Sequence, residues 1–451
     1  MMLLSEAAIW LGAPPPRQDA LIERVTTDSR AIRSGDLFVA LPGERFDGHD
    51  FAAAACKAGA AAVLVARDLG LAAQLVVPDS RLALGALARA WRAKFTLPLI
   101  AVTGSNGKTT VTQMLRAILL AHAGDGAFAT EGNLNNDIGL PLTLLRLRAQ
   151  HRIGVVELGM NHAGEIAQLA LIAAPTVALV NNAQREHQEF MKSVAEVAAE
   201  NGSVFAHLPA HGVAVINADD AYAGYWRGLT RGRNLVDFGL ATSADVTARY
   251  ELALYGSHIE LMTPAGNAAI ALRIAGRHNV ANACAAAACA HAAGVPLAAV
   301  AAGLAAFVPY AGRLQKKVSA AGAVVLDDTY NANPDSVRAA IDVLAGIDGR
   351  RVLVLGRMGE VGDRGAEFHH EVGNYAKSRG VDHLLALGEE TDPAVAGFGP
   401  GAQRFADIDT VNRAAIELAQ PGTTLLVKGS RSACMERVVA ALTGTAAAGA
   451  H

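Results

Sequence analysis

Four stretches of the chain are apolar almost without interruption: "LIAVTG" from Leu99, "IGVVELG" from Ile153, "TVALVNNA" from Thr176 and "GVAVINADD" from Gly212. Each has strand length and no alternation. That pattern predicts strands covered on both faces, as in a parallel sheet sandwiched between helices. Segments with helical spacing, such as "EIAQLALIAA", separate them. A doubly wound α/β domain is expected, with its ligands beyond the carboxyl ends of the strands. Upstream, "DLFVALPG", "AAVLVAR" and "QLVVPD" read as shorter strands and "FAAAACKAGA" as a helix. "RLALGALARAWRAKF" reads as a helical connector running to Pro98. Downstream, "AVVLDDTYNANPDS", "RVLVLGRMGEVGD", "DHLLALGEE" and "TTLLVKGSRS" repeat the strand–helix alternation.

The patterning predicts three α/β domains. These are a small N-terminal one over 1–82, a central doubly wound parallel-sheet domain over 83–312, and a C-terminal Rossmann-like domain over 313–451. "VPYAG" interrupts the helical pattern and places a hinge near Pro309 to Gly312. The final "GTAAAGAH" is expected to fray. The length of 451 residues exceeds what one core serves, and 52% hydrophobic residues supply several.

Charge and cysteine content narrow the class. A formal net charge of −3 without a long basic run argues against nucleic acid. The Ala-rich piece from Val280 to Phe307 is interrupted by His291, Pro296 and glycines. It reads as packed helices, so no membrane insertion is expected. The N-terminus lacks a basic start and a cleavage site, and Cys56, Cys284, Cys289 and Cys434 lack paired spacing. A cytoplasmic protein with reduced, buried thiols is expected.

The strongest chemical signal follows the first central run. Thr103, Gly104, Ser105, Asn106, Gly107, Lys108, Thr109 and Thr110 join a predicted strand to a predicted helix. The glycines permit a tight turn, the helix brings its positive end, Lys108 adds a point charge and Thr109 a hydroxyl for a metal ion. The usual phosphate-loop spacing asks for a glycine where Val102 stands. An ordinary strand-to-helix turn with a solvated lysine is the competing reading. Glu157 closes the second apolar run, where a carboxylate needs a partner. Mg²⁺ shared with ATP phosphates would serve; a salt bridge or a helix cap competes. In "GRHNVANA", Asn279 and Asn282 carry paired donors and acceptors suited to an adenine edge, while Asn279 also suits a helix N-cap.

The loop T-G-S-N-G-K-T-T resembles that of the Mur ligases, ATP-dependent amide-bond-forming enzymes whose family also contains folylpolyglutamate synthase. The unusual glycine spacing is that family's variant. The resemblance runs from Asp28 to Glu436. It implies an ATP and Mg²⁺ enzyme in which Lys108, Glu157, His187 and Arg313 are catalytic and Thr109, Glu157 and His187 meet metal. It assigns Asn279 and Asn282 to adenine, and Arg313 and Asp328 to the γ-phosphate and ribose. Lys428, Ser430 and Arg431 match the closing K-G-S-R motif, and His162 stands beside the glutamate motif. Asp28, Ser29, Arg30, Asp47, Gly48 and His49 resemble the UDP-sugar-binding part of the N-terminal domain.

Asn135 and Asn136, in N-N-x-I-G-x-P, and Tyr330, Asn331 and Asn333, in "DDTYNANPDS", resemble the version that adds D-alanyl-D-alanine to UDP-MurNAc-tripeptide. A monomer is expected. Two departures stand out. Many members carry a lysine, modified to a carbamate that shares a second metal, where this chain has Asn201 beside Glu200; either Glu200 or water takes its place, or the second metal is held less tightly. Arg357 replaces a customary aspartate, while His369, with His370 beside it, keeps a customary histidine position. A relative adding another amino acid, and a nucleotide-dependent regulatory binder without ligase chemistry, remain as rival readings.

Overall fold

The structure, a computed structural model, describes residues 1–43 and 45–445. The tail expected to fray lies mostly outside them.

The apolar runs become the middle of a six-stranded parallel sheet. Its spatial order is Asn234–Phe238, Val213–Asn217, Val177–Val180, Leu99–Thr103, Ile153–Glu157, Ala127–Ala129. Leu99–Thr103 pairs with Val177–Val180 on one side and Ile153–Glu157 on the other. Three carboxyl ends therefore meet at one place, which is where the polar signatures fall.

The N-terminal block is a four-stranded parallel sheet of Arg24–Thr26, Asp36–Val39, Ala62–Val65 and Gln74–Val76. The connector is the helix Ser80–Arg92, capped by Asp79, which accepts from the Arg81 and Leu82 amides. It belongs to both neighbours: Leu84, Leu87 and Trp91 sit in one apolar cluster with Leu37 of the first block and Leu99, Leu140 and Leu169 of the second.

Between Thr247 and Leu272 the chain forms a three-stranded antiparallel sheet that the sequence reading does not anticipate. Its middle strand, Gly256–Thr263, buries alternate residues. Buried Ser257, Ile259 and Leu261 alternate with exposed His258 and Glu260, the period-2 signal of a half-buried strand. The sheet joins the core of the Ala-rich helices Arg277–Ala292 and Leu297–Ala306. Small residues there permit backbone contact: a Cβ on Gly303 would lie 2.3 Å from the Ile118 Cα.

The third block is a six-stranded sheet, parallel through Val324–Asp328, Thr423–Lys428, Arg350–Gly356, His383–Leu387 and Ala402–Phe405. Gln315–Val318 adds an antiparallel edge. Among the described residues no helix is long and apolar enough to cross a membrane. All four cysteines are free; Cys284 and Cys289 are buried as expected, whereas Cys56 and Cys434 are only half-buried.

Candidate active site

A cavity of about 1130 Å³ opens where the central and third blocks meet, with Arg81 of the first block at its edge. The phosphate loop forms its floor. Lys108–Ala123 is the helix that follows, with Gly107 as its N-cap. The N–H groups of its first turn have no acceptor within the helix. Gly107 is obligatory: its φ is +84°, and a Cβ there would meet Asn282 Oδ1 at 2.4 Å and Asn181 Nδ2 at 2.6 Å. Asn182 shapes the loop, accepting from the Ser105 amide on its carbonyl at 3.0 Å and from the Asn106 amide on Oδ1 at 2.8 Å. Those two N–H groups are thus already bonded. Thr103 donates to Asn201 Oδ1 at 2.6 Å.

Lys108 is not the solvated lysine of the competing reading. Its ammonium folds back onto the Gly104 and Ser105 carbonyls at 2.6 and 3.2 Å and pairs with Glu186 at 2.6 Å. Glu186 is buried; Oε1 takes the lysine, and Oε2 has no hydrogen-bond partner. His187, at φ +50°, holds its ring between Glu360 (2.5 Å) and Glu186 (3.4 Å). Burial alone would favour the neutral ring, but hydrogen bonds and charge attraction from Glu186 and Glu360 outweigh it, raising the pKa to about 9. The same contact lowers that of Glu360. His187, which the resemblance assigns to metal, thus faces the carboxylates of Glu186 and Glu360.

Glu157 is buried at its strand end and accepts from Asn135 Nδ2 at 2.7 Å and Thr109 Oγ at 3.3 Å. The salt bridge and helix cap weighed for it are both absent among the described residues. Thr109 also accepts from Arg313 Nη2 at 3.2 Å, and Arg313 lies over the Tyr330 ring. Thr109 and Glu157 therefore offer hard oxygen donors side by side, the chemistry that suits Mg²⁺. The place proposed for the modified lysine is closed. Asn201 is spent on Thr103 and on the Val197 carbonyl, and Glu200 caps the helix Glu165–Ala173 through the Gly164 and Ile166 amides, both at 2.8 Å.

Asn279 and Asn282 stand in the cavity wall, but Asn279 is not an N-cap; Gly276 is. Asn279 Nδ2 bonds the Ala275 carbonyl at 2.7 Å, Asn282 Nδ2 bonds Asn279 Oδ1 at 3.1 Å, and Asn181 Nδ2 bonds Asn282 Oδ1 at 3.0 Å. The wall is wired to the loop through side-chain amides. Asp328 lines the cavity with its charge already answered by buried Lys428 at 2.5 Å, while the Leu314 amide donates to its other oxygen. Burial pulls the Lys428 pKa down against that pairing.

The third block reaches the loop directly. Asn333 caps the helix Pro334–Ala345 and bonds Asn106. Arg185 grips Asp335 and Glu371, and Glu371 also pairs with Arg338. Tyr330 and Asn331 line the same wall, as do Thr110, Asn135, Asn136 and His162 elsewhere. Asn136 is used locally, capping the helix Gly139–Leu144 through the Gly139 amide at 2.8 Å. Buried His369 fastens the loop carrying Glu360: Nδ1 donates to the Gly365 carbonyl at 2.7 Å, and Nε2 accepts from the Met358 amide at 3.0 Å. Arg357 points to Glu390 instead, at 3.6 Å.

Asp28, Ser29, Arg30, Asp47, Gly48 and His49 do not line this cavity. Asp28 is paired with Arg30, and Asp47 builds a turn by accepting from the His49 amide and ring. His49 is buried and accepts from the Ala66 amide at 2.7 Å. The sequence reading missed Arg185, Glu186, Asp335, Glu360 and Glu371. Glu186 had one local signal, an acidic residue directly before His187 in a strand-end loop.

Three domain families match successive parts of the chain: Mur ligase family, catalytic domain, over 21–92; Mur ligase middle domain over 102–290; and Mur ligase, glutamate ligase domain, over 312–431. The chain belongs to the Mur ligase family. Among its relatives is the Escherichia coli protein named UDP-N-acetylmuramoyl-tripeptide–D-alanyl-D-alanine ligase, 44% identical over 429 residues and covering 94% of each chain. A crystal structure of MurF from Acinetobacter baumannii superposes with a TM-score of 0.91 at 37% identity, covering 97% of both chains. The Mur ligase from Thermotoga maritima, solved as MurF with ADP, gives a TM-score of 0.82 at 27% identity, with 93% and 97% coverage. The three-domain α/β expectation is met.

Proposed function

We propose that this Mur ligase joins D-alanyl-D-alanine to UDP-N-acetylmuramoyl-tripeptide at the expense of ATP. The observation that carries the reading is the 44% identity across 94% of both chains to the E. coli ligase of that name, together with the cavity built around the phosphate loop. The reading divides labour among units at about 1–82, 83–312 and 313–451. The first holds the UDP-sugar, the second the nucleotide and the third the incoming amine. A soluble nucleotide-linked substrate suits a monomer working in the cytoplasm.

A carboxylate resists attack by an amine. An oxygen of the tripeptide carboxylate attacks the γ-phosphorus, the bond to the ADP oxygen breaks, and an acyl phosphate forms. The dipeptide amine then adds to the acyl carbon. The tetrahedral intermediate expels phosphate as the nitrogen loses its proton, leaving the amide. The chain contributes charge and positioning. The first helical turn after Gly107 presents N–H groups to phosphate, and Lys108 exchanges Glu186 for the phosphates. Arg313, already at Thr109, adds positive charge to the transferring group. Thr109 and Glu157 would hold Mg²⁺, which when bound draws charge from the phosphate oxygens. Asn333, Arg185 and Glu360 keep the third unit against the loop, so the reactive intermediate is shielded from water.

The test is ADP and phosphate release with UDP-MurNAc-tripeptide and D-Ala-D-Ala added separately and together. Release should require both and yield the pentapeptide product. Equal release with diaminopimelate or glutamate as the amine would move the assignment to another Mur ligase activity.

A further inference from the structure

Resting on the reading of D-alanyl-D-alanine as the incoming amine, we propose that Arg431 holds the terminal carboxylate of that dipeptide. Arg431 stands at the ligand edge of the third sheet. The neighbouring strands Val324–Asp328, Thr423–Lys428 and Arg350–Gly356 end side by side, and the loops beyond them bring Tyr330, Asn331, Arg431 and Glu360 into the cavity wall. Open α/β sheets bind their ligands at that edge.

The first observation is how the cavity's positive charges are spent. Seven lysines and arginines line it. Arg81, Lys108, Arg379 and Lys428 each pair with a carboxylate of the protein. Arg277 bonds the Tyr250 hydroxyl at 3.2 Å and starts the helix that carries Asn279 and Asn282. Arg313 reaches Thr109 beside the phosphate loop. Arg431 is left. Its carbonyl accepts from the Cys434 amide, but its exposed guanidinium makes no ion pair or hydrogen bond among the described residues.

The second observation is that this free guanidinium has a fixed base. Arg431 opens the short turn Arg431–Ala433. Just before it, buried Ser430 donates its amide to the Arg357 carbonyl at 2.9 Å. Gly429 is packed so closely that a Cβ there would lie 2.6 Å from Met435 Cγ. Burial pushes the Tyr330 hydroxyl up, while the charges of Arg313 and Arg431 pull it the other way. Arg431 therefore stands near the ring on which Arg313 lies, on the side of the cavity formed by the third block.

The chemistry of the dipeptide supplies the match. Once its amine has lost a proton to become nucleophilic, the terminal carboxylate is its one remaining charge, and two methyl groups give little else to grip. A guanidinium presents paired donors to the two oxygens of a carboxylate. Asp328 and Glu360, the acids on the same edge, are already answered by Lys428 and His187, so they leave the charge of Arg431 for the ligand.

The experiment follows ADP release at saturating ATP and UDP-MurNAc-tripeptide, with either D-Ala-D-Ala or its C-terminal amide as the varied amine. Wild type, Arg431→Ala and Arg431→Lys are compared. Amidation should cost wild type about tenfold or more in kcat/KM, the scale of hydrogen bonds to a charged group. Arg431→Ala should lose a similar factor with the free dipeptide, chiefly through KM, and should no longer distinguish the two amines. Arg431→Lys should fall between, since it keeps the charge without the paired geometry. Thermal unfolding confirms that each variant folds, and calorimetry of a non-hydrolysable ATP analogue should give unchanged affinity. An Arg431→Ala enzyme that still rejects the amide as strongly as wild type overturns the proposal, as does a loss of analogue affinity that accounts for the lost activity. Wild type that turns over neither amine overturns the reading of the substrate instead.

Discussion

Asn333 of the third block and Asn106 of the phosphate loop exchange amide hydrogen bonds, one at 2.9 Å and its reciprocal at 3.4 Å. The side chain that starts a helix in one domain thus touches the nucleotide-binding loop of another. Asn333 has two duties, because its Oδ1 also accepts from the Ser336 amide at 2.8 Å. Substitutions separate them. Asn333→Ser keeps a cap but cannot reach Asn106, whereas Asn333→Ala loses both. Thermal unfolding should be nearly unchanged for serine and lowered for alanine by about 1 kcal/mol. Turnover should fall in both. Full activity in the serine variant would show that the Asn106 contact does not matter to catalysis.

Arg185 is the stronger tie. Its guanidinium meets Asp335 at 2.6 Å and Glu371 at 2.6 Å, with the Phe368 ring 5.3 Å away. Glu371 and Asp335 hold it more firmly charged than usual. Arg185→Ala should cost kcat/KM for the dipeptide roughly thirtyfold, about 2 kcal/mol for charged hydrogen bonds lost at a partly buried site. Binding of an ATP analogue should change little. Small-angle scattering should show a larger radius of gyration for the variant, because the third unit, hinged near Pro309 to Gly312, is released. A scattering curve identical to wild type would mean that other contacts hold the domains together.

Lys108→Ala should lower kcat by about a hundredfold or more, roughly 2.7 kcal/mol of transition-state stabilisation. Since Lys108 pairs with buried Glu186, this variant also removes one of two cations from that carboxylate, so a measurable fall in melting temperature should accompany the lost activity. Combining it with Glu186→Gln should restore the melting temperature without restoring turnover. Calorimetric melting and steady-state kinetics on the same preparations read both effects.

His278 supplies a pH signature. Burial in the cavity wall pulls its pKa down to about 4, and the Asn279 amide lies 3.0 Å from Nε2. An unfolded chain takes up that proton near pH 6.5, the folded one only near 4, so the unfolded state binds more protons between those values. Stability contributed by the neutral ring is therefore present above about pH 6.5 and declines as pH falls toward about 4. Melting temperatures of wild type should drop more steeply over that window than those of His278→Gln, and the ring's NMR resonances should titrate near the lower value. A midpoint near 6.5 would refute the assignment.

Asn201 cannot form a carbamate, and its amide is bonded on both sides. Activity should therefore be the same in bicarbonate-depleted and bicarbonate-supplemented buffer. Recovery on adding bicarbonate would reveal a modified lysine elsewhere.

The sequence by itself determined the sheets and the phosphate loop. Strands such as Leu99–Thr103 and Val177–Val180 are buried on both faces, so they appear as unbroken apolar runs. The loop from Gly104 to Thr110 works through its own backbone, whose needs for glycine and lysine are local. Some motif side chains also serve the local fold: Asp47 accepts from the His49 amide in a turn, and Asn136 accepts from the Gly139 amide at the start of a helix. The antiparallel sheet from Thr247 to Leu272 was missed because Thr247–Ala253 breaks the alternation by exposing the apolar Leu252 and Ala253. Only the tertiary structure decided which charges face one another. Lys108 starts a helix, Glu186 and Glu360 lie on two separate loops, and Arg185 meets acids on two helices of another domain. Coulomb energies depend on separations of a few ångströms and on burial. Neither can be read along the chain until folding has brought those loops together.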